Sequence, residues 1–153
     1  MTKLHDIIIG KKENETFEEA KGIFMVMEYK PNDIKQMIND INPSDLKEDH
    51  IKIIMYNLLC SINYIHSAGI MHRDIKPANI LIDDQCQVCI CDFGLSRTVP
   101  EAILQKKTLN KRRLSTHISS RWYRSPEIIL TQELYDGKID IWALGCIMAE
   151  LML

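Results

Sequence analysis

Residues 72–94 constrain this chain more than any other stretch, because two polar loops there flank a short apolar hairpin. Residues 80–82 and 88–91 are typical of two strands, and the polar residues 83–85 between them are typical of a turn. A hairpin reverses the direction of the chain. The loop before the first strand and the loop after the second are therefore expected to meet at one end.

Several polar and charged side chains are expected at that end of the hairpin. Pro77 cannot sit inside a helix and restricts the residue before it, so residues 72–79 are predicted to be loop. Carboxylate and carboxamide oxygens suit Mg²⁺, a lysine supplies positive charge, and a carboxylate can orient a hydroxyl. The set therefore suits phosphoryl transfer, whose transition state is largely a problem of charge and alignment. Its members are Asp74, Lys76, Asn79 and Asp92.

The letters H-R-D-I-K-P-A-N at residues 72–79 and D-F-G at residues 92–94 resemble the catalytic loop and metal-binding motif of the protein kinase family. The resemblance implies that ATP and Mg²⁺ are the cofactors. It makes Asp74 the catalytic base and brings Lys76 to the γ-phosphate. The implied catalytic set is Asp74, Lys76 and Asn79, and the implied metal ligands are Asn79 and Asp92.

Further upstream, residues 23–27 form an apolar run that predicts a strand, and Pro31 forces a break shortly after it. In the kinase family this is the hinge between the two lobes. The resemblance implies that Met27 borders the adenine pocket and that the backbone of residues 28–30 binds adenine. A strand followed by a turn explains the same letters without a ligand. The implied nucleotide-binding set is Met27, Glu28, Lys30, Asp33, Lys76, Asn79, Leu81 and Asp92.

Several other elements follow from apolar spacing. Asn32 or Asp33 is predicted to cap a short helix, and residues 51–65 to form a long helix that stops at Gly69. Residues 4–9 predict a short buried strand.

Two more helices are predicted near the carboxyl end. Ser125 is expected to cap a short helix that starts at Pro126. Residues 140–150 are apolar nearly all round, which predicts a helix central to the fold. By the kinase resemblance, its first residue, Asp140, braces the catalytic loop.

Residues 95–120 lack periodicity and contain a basic cluster at 106–113. An exposed loop and a nuclear-import or nucleic-acid patch are both possible explanations. In the kinase family this is the activation segment, so Ser115 and Thr116 are candidates for phosphorylation by an upstream kinase, with Arg73 as a phosphate partner. The R-W-Y-R-S-P-E letters that follow resemble the mitogen-activated branch of the family. This resemblance implies that the substrates are proteins and that the phosphorylated Ser or Thr directly precedes a proline.

The chain also departs from the family pattern. Its six glycines are scattered, so it has no Gly-rich phosphate loop, and no strand lysine of the V-A-I-K type is present. The expected fold is therefore a truncated, protein-kinase-like α+β fold. Residues 1–30 would be a remnant of the small lobe with the hinge, and residues 31–153 a large lobe incomplete at its carboxyl end. A catalytically inactive binding module and a non-functional, poorly soluble fragment are the alternatives.

Composition and charge indicate which classes of partner and which cellular location to expect. A net charge of −2 and a pI near 6.2 give no basic field for nucleic acid. The longest apolar run, residues 141–149, is too short to span a membrane, and no secretory signal is visible at the first residues. Five cysteines without such a signal favour free thiols in the cytoplasm or nucleus. The run Cys86-x-x-Cys89-x-Cys91 is typical of strand thiols, with a zinc site as the alternative.

Overall fold

The computed structural model describes residues 2–10, 16, 22–98, 121–130 and 135–153. These residues form a mixed α+β arrangement of short strands and helices. The strands are β1 (Leu4–Ile9), β2 (Ile23–Met27), β3 (Asn32–Asp33), β4 (Ile70–Met71), β5 (Ile80–Ile82), β6 (Val88–Ile90) and β7 (Arg97–Thr98). The helices are α1 (Ile34–Asp40), α2 (Glu48–Ser67), α3 (Pro126–Leu130) and α4 (Lys138–Leu151), with single 3₁₀ turns at Pro43–Asp45, Pro77–Asn79, Phe93–Leu95 and Arg121–Tyr123.

The strands pair in three small antiparallel sheets. β1 pairs with β2, β4 pairs with β7, and β5 lies between β3 and β6. The hairpin predicted from residues 80–91 is confirmed, with Ile80 opposite Ile90 and Ile82 opposite Val88. The hairpin brings residues 79 and 91 together, and the Cys91 amide donates to the Asn79 carbonyl at a distance of 3.0 Å.

Helix α2 packs against α4 and against β6, and the main core lies between them. The α2 residues that face this core have the helical spacing seen in the sequence, which places them on one side of the helix. The core residues that are at most 1% exposed on these elements and the hairpin are Ile54, Leu58, Ile62, Ile65, Ile80, Ile90, Leu144 and Ile147.

The ends of α1 and α2 follow the predicted chemistry. Asp33 caps α1, with its Oδ1 accepting from the Gln36 amide at 2.8 Å. Gly69 follows α2 with φ of +69°, a left-handed conformation that glycine adopts without a steric penalty. The long helix therefore stops where the sequence predicted, and the chain turns into β4 and the loop at residues 72–79.

The predicted burial of β1 is wrong. The apolar side chains of β1 and of its partner β2 are exposed, as Ile8 at 52% and Phe24 at 62% show, because the pair forms a ribbon that no other described element covers. Helix α4 contributes to the main core as predicted, but only on one face. On its other face Ile141 and Trp142 are 46% and 48% exposed, because no described element packs there.

Candidate active site

Asp74 is buried in the loop between β4 and β5, with only 4% of the residue exposed. Its Oδ2 accepts from Lys76 Nζ at 2.6 Å and from Asn79 Nδ2 at 2.9 Å. The same Asn79 amide also donates to the Asp74 carbonyl at 2.9 Å. The three predicted catalytic side chains therefore lie together. Asp74 Oδ1 is buried and has no hydrogen-bond partner among the described residues.

The loop owes its shape to Asp140 in the first turn of α4. Asp140 is 1% exposed, and its two oxygens accept from the backbone amides of His72 at 2.9 Å and Arg73 at 2.8 Å. Arg73 has φ of +73°, a conformation that is costly for a residue with a side chain. The predicted brace is confirmed, and its two charge-assisted hydrogen bonds help to offset that strain.

His66, near the end of α2, is part of the same network, and the sequence analysis missed it. Its Nε2 lies 2.8 Å from Asp140 Oδ2. The ring packs so closely on Gly137 that a Cβ there would lie 2.8 Å from His66 Cε1. A histidine three residues before the helix-ending glycine was the only available signal. Its partner, 74 positions away, is a product of the α2–α4 packing.

His72 is fully buried beneath the loop. Its Nε2 lies 3.0 Å from the Cys91 carbonyl, and the Asp74 amide donates to Nδ1 at 3.3 Å. A neutral ring with the proton on Nε2 satisfies both contacts. Burial is the main cause that lowers the pKa of His72 below its ordinary value of 6.5. The ring therefore serves as a neutral spacer that links the catalytic loop to the strand before Asp92.

The two predicted metal ligands lie at one end of the hairpin. Asn79 uses its amide nitrogen on Asp74, which leaves its side-chain oxygen as a candidate ligand. Asp92 adopts a left-handed φ of 60°, and its Oδ1 accepts from the Gly94 amide at 3.3 Å. Both are hard oxygen donors of the kind Mg²⁺ prefers.

This donor set fits a cation that arrives with a nucleotide. Among the described residues, no three His, Cys, Asp or Glu side chains are grouped as a metal ion would require. Mg²⁺ is commonly held by one or two protein oxygens together with substrate phosphates, so two ligands are enough for that mode. The zinc alternative for the cysteine run has no support here. Cys89 is buried in β6, and the pKa values of Cys86 and Cys91 are raised mainly by burial.

The predicted adenine-binding segment connects the ribbon to β3. Met27 ends β2 and is 44% exposed. The Glu28 amide donates to the Lys3 carbonyl at 2.8 Å, so the Glu28 backbone has only its carbonyl oxygen left for a ligand. Among the described residues, the Lys30 backbone forms no hydrogen bond. The predicted hinge thus has unused backbone groups of the type that bind a flat, polar heterocycle.

Two other predicted nucleotide-binding residues lie next to the hinge. Asp33 and Leu81 are opposite each other in the β3–β5 pair, so the hinge is joined directly to the hairpin. One Asp33 oxygen is occupied by the α1 cap described above. Leu81 is partly buried, whereas its neighbours Ile80 and Ile82 are in the core.

Predictions for the activation segment have mixed outcomes. Ser115 and Thr116, with the basic cluster, lie outside the described residues. Helix α3 starts at Pro126 as predicted, but the Ser125 hydroxyl does not cap it, since Ser125 Oγ is buried without a partner among the described residues. The segment is instead attached to α4 through Tyr123, whose hydroxyl donates to Glu150 Oε2 at 2.7 Å. Burial is the main cause that raises the Tyr123 pKa, so the hydroxyl remains a donor.

Among the helices of the described residues, none combines the length and the apolar character that crossing a bilayer requires.

The sequence is similar to curated protein kinases along almost its whole length. It is 36% identical over 147 residues to mitogen-activated protein kinase KSS1 of Saccharomyces cerevisiae, covering 95% of this chain and 40% of that protein. It is 37% identical over 150 residues to mitogen-activated protein kinase 13 of Arabidopsis thaliana, covering 98% of this chain and 37% of that protein. It is also 37% identical over 145 residues to the serine/threonine-protein kinase NLK2 of Xenopus laevis, covering 95% and 30%.

The chain thus spans about two fifths or less of the length of these relatives. The family model of the protein kinase domain matches residues 2–153. Together with the loop, the brace and the hairpin, this match confirms the predicted kinase-like α+β fold. The chain belongs to the protein kinase family and resembles its mitogen-activated branch.

Proposed function

We propose that the protein to which these residues belong is a serine/threonine kinase that transfers the γ-phosphate of ATP to protein hydroxyls. The observation that carries the proposal is the Asp74 carboxylate. One oxygen is held by Lys76 and Asn79, and the other is a buried acceptor without a partner among the described residues. A buried acceptor left without a partner is costly, which supports a role for Oδ1 in accepting a hydrogen bond from an incoming hydroxyl.

Each side chain then has a role in transfer. Asp74 orients the attacking hydroxyl and takes its proton. Lys76, already 2.6 Å from Asp74, carries positive charge to the side where the transferred phosphoryl group would lie. Asn79 and Asp92 would hold Mg²⁺ through their side-chain oxygens, and the ion would supply positive charge to the phosphates of ATP. Adenine would lie on the hinge backbone between Met27 and Lys30, with Leu81 on the hairpin side.

The test is Mg²⁺–ATP-dependent phosphorylation of a Ser-Pro peptide, with a Ser-Ala peptide as control for the proposed preference for proline. We expect Asp74→Asn to reduce turnover by about 10²–10⁴ while retaining nucleotide binding. Asp92→Ala should weaken binding of Mg²⁺–ADP more than that of adenosine. Asp84→Asn is the matched control, because Asp84 is an exposed carboxylate on the turn of the same hairpin. Equal activity in Asp74→Asn and Asp84→Asn would refute the assignment of Asp74.

A binding module without turnover is the second candidate, because the 153 residues contain no Gly-rich loop or strand lysine to clamp the α- and β-phosphates. Positioning and charge carry most of this catalysis, so the chain alone is expected to be orders of magnitude slower than a kinase with those groups. Nucleotide binding without turnover, even at high enzyme concentration, would favour this second candidate.

Regulation and location complete the proposal. We propose that an upstream kinase modifies Ser115 or Thr116, that protein substrates are the partners, and that the protein acts in the cytoplasm or nucleus. The division of the chain into a small-lobe remnant at 1–30 and a large lobe at 31–153 is part of the same proposal. Mass spectrometry of active protein isolated from cells should show phosphate at one of the two positions, and its absence from both would refute that regulation.

A further inference from the structure

The described hinge has one side-chain link to the large lobe. Lys30 Nζ donates to Asp83 Oδ2 at 2.8 Å, and the two side chains are 20% and 25% exposed. The contact joins residues 53 positions apart, so it is a tertiary contact that closes the segment between hinge and hairpin. An ion pair at this exposure is screened only in part by solvent.

Asp83 is held in place by more than Lys30. Its Oδ1 accepts from the backbone amides of Gln85 and Gln87, each at 3.0 Å. The Cys86 amide donates to the Asp83 carbonyl at 3.0 Å, and Cys86 itself has a left-handed φ of 57°. Asp83 therefore organises the β5–β6 turn through both its carboxylate Oδ1 and its backbone carbonyl. Its carboxylate presents Oδ2 to Lys30 from a fixed position.

The pair links two parts of the proposed nucleotide site. On one side lies the hinge, where Lys30 has unused backbone groups. On the other side lies the hairpin that carries Leu81 in β5, Asn79 before it and Asp92 after it. β3 already pairs with β5 at Asn32–Ile82 and Asp33–Leu81. The ion pair extends that attachment by two residues, from Asn32 to the hinge residue itself.

Resting on the proposed function, we propose that Lys30 and Asp83 are positioning residues for nucleotide binding. The ion pair holds the hinge backbone at a fixed distance from the hairpin that carries the metal ligands, so that adenine and phosphates are received by one rigid unit. Lys30 thus contributes through its side chain as well as its backbone. The hydrogen bond between the two charged groups also raises the pKa of Lys30 and lowers that of Asp83, so both stay charged at neutral pH.

The expected effect is small but measurable. Ion pairs near the surface are weak, and loss of this one is expected to change local equilibria by about two- to fivefold. When only a fraction of the protein is in the binding-competent state, the apparent affinity equals the intrinsic affinity multiplied by that fraction. The variants are Lys30→Met, which removes the charge of the lysine, and Asp83→Asn, which keeps a side-chain oxygen to accept from the Gln85 and Gln87 amides. Lys52→Met is the matched control, because Lys52 pairs with Glu48 on the exposed surface of α2.

Two measurements keep this proposal separate from the proposed function. The first is hydrogen exchange of the protected amides at Glu28 and in β3, without any nucleotide. The second is the affinity of the full chain for adenosine and for Mg²⁺–ADP. Each single variant should exchange about two- to fivefold faster and bind both ligands about two- to fivefold more weakly, and both effects should be absent in Lys52→Met.

Unchanged exchange in Lys30→Met and Asp83→Asn would overturn the positioning role, whatever the nucleotide does. Faster exchange with unchanged affinity would overturn the link to nucleotide binding. A unit that only stabilises the fold would shift the thermal midpoint without changing affinity for adenosine, and that result also counts against the proposal. If the unaltered chain binds neither ligand, the proposed function fails, and the exchange data alone decide whether the ion pair holds the hinge.

Discussion

The predicted catalytic loop at residues 72–79 and the β1–β2 ribbon reverse the usual relation between polarity and burial. The loop is rich in charge, yet His72, Arg73 and Asp74 are at most 4% exposed. The ribbon consists largely of isoleucine, phenylalanine, methionine and valine, yet Phe24 and Met25 are 62% and 66% exposed. Hydrophobicity alone therefore did not decide burial here. The loop is buried because Asp140 of α4 and the Cys91 carbonyl supply hydrogen-bond partners, whereas the described residues supply nothing to cover the ribbon.

Asp140→Ala is expected to have the largest effect on the loop side of this comparison. It leaves the buried amides of His72 and Arg73 without acceptors and removes the partner of His66. Each buried unsatisfied donor costs about 1–3 kcal/mol, so the free energy of unfolding should fall by about 3 kcal/mol or more. Urea unfolding followed by circular dichroism measures it. Asp6→Ala in the exposed ribbon is the control, with an expected change below about 0.5 kcal/mol.

Truncation of apolar side chains should show the same contrast. Ile147 is fully buried between α4 and α2, so Ile147→Ala should reduce the free energy of unfolding by about 2–5 kcal/mol. Ile8 is 52% exposed, and Ile8→Ala should cost less than about 1 kcal/mol. Similar losses at the two sites, measured by the same urea titration, would show that the ribbon is covered in solution.

Acid should weaken the loop through His72. Its pKa is lowered in the folded protein, so the unfolded chain binds the proton more readily as the pH falls. The contribution of the neutral ring is present above the ordinary value of 6.5 and is lost as the pH falls through the folded pKa. We expect the free energy of unfolding to drop less between pH 7.5 and 5.5 in His72→Phe than in the unaltered chain. An equal drop in both would contradict this role, and His5→Gln in the ribbon is the control.

The smallest expected effect on stability comes from polar substitution of the ribbon. Phe24→Thr with Ile8→Thr removes two cross-strand apolar neighbours that face solvent. The solubility of the chain should rise while the free energy of unfolding stays within about 0.5 kcal/mol. The buried strand provides the contrast, because Ile90→Thr places a hydroxyl in the core and should destabilise the chain strongly. Destabilisation by the ribbon substitutions as large as that of Ile90→Thr would refute the solvent-exposed assignment.

Local patterns in the sequence were sufficient for much of the fold. The hairpin at residues 80–90, the Asp33 cap and the end of α2 at Gly69 each depend on a few neighbouring residues, and all three were predicted. The side chains of the proposed catalytic set, Asp74, Lys76 and Asn79, were predicted to lie together because they occupy one short loop.

Other contacts had no local signal. His66 with Asp140 and Lys30 with Asp83 join residues 74 and 53 positions apart. The sequence around His66 does not indicate that its partner is Asp140, and the sequence around Lys30 does not indicate that its partner is Asp83. The prediction that Ser125 caps α3 was wrong for a similar reason. The side chain is buried, and its hydroxyl has no hydrogen-bond partner among the described residues.

The sequence by itself determined which elements form and which chemistry the catalytic loop carries, because turns, caps and apolar spacing act over a few residues. Only the tertiary structure decided which surfaces are buried and which charges meet. The apolar patterns of β1 and α4 both indicated burial, yet burial needs a second surface, and the described residues provide one only for the inner face of α4. In the same way, the Asp140 brace exists because the packing of α2 on α4 brings distant hydrogen-bonding groups within 3 Å.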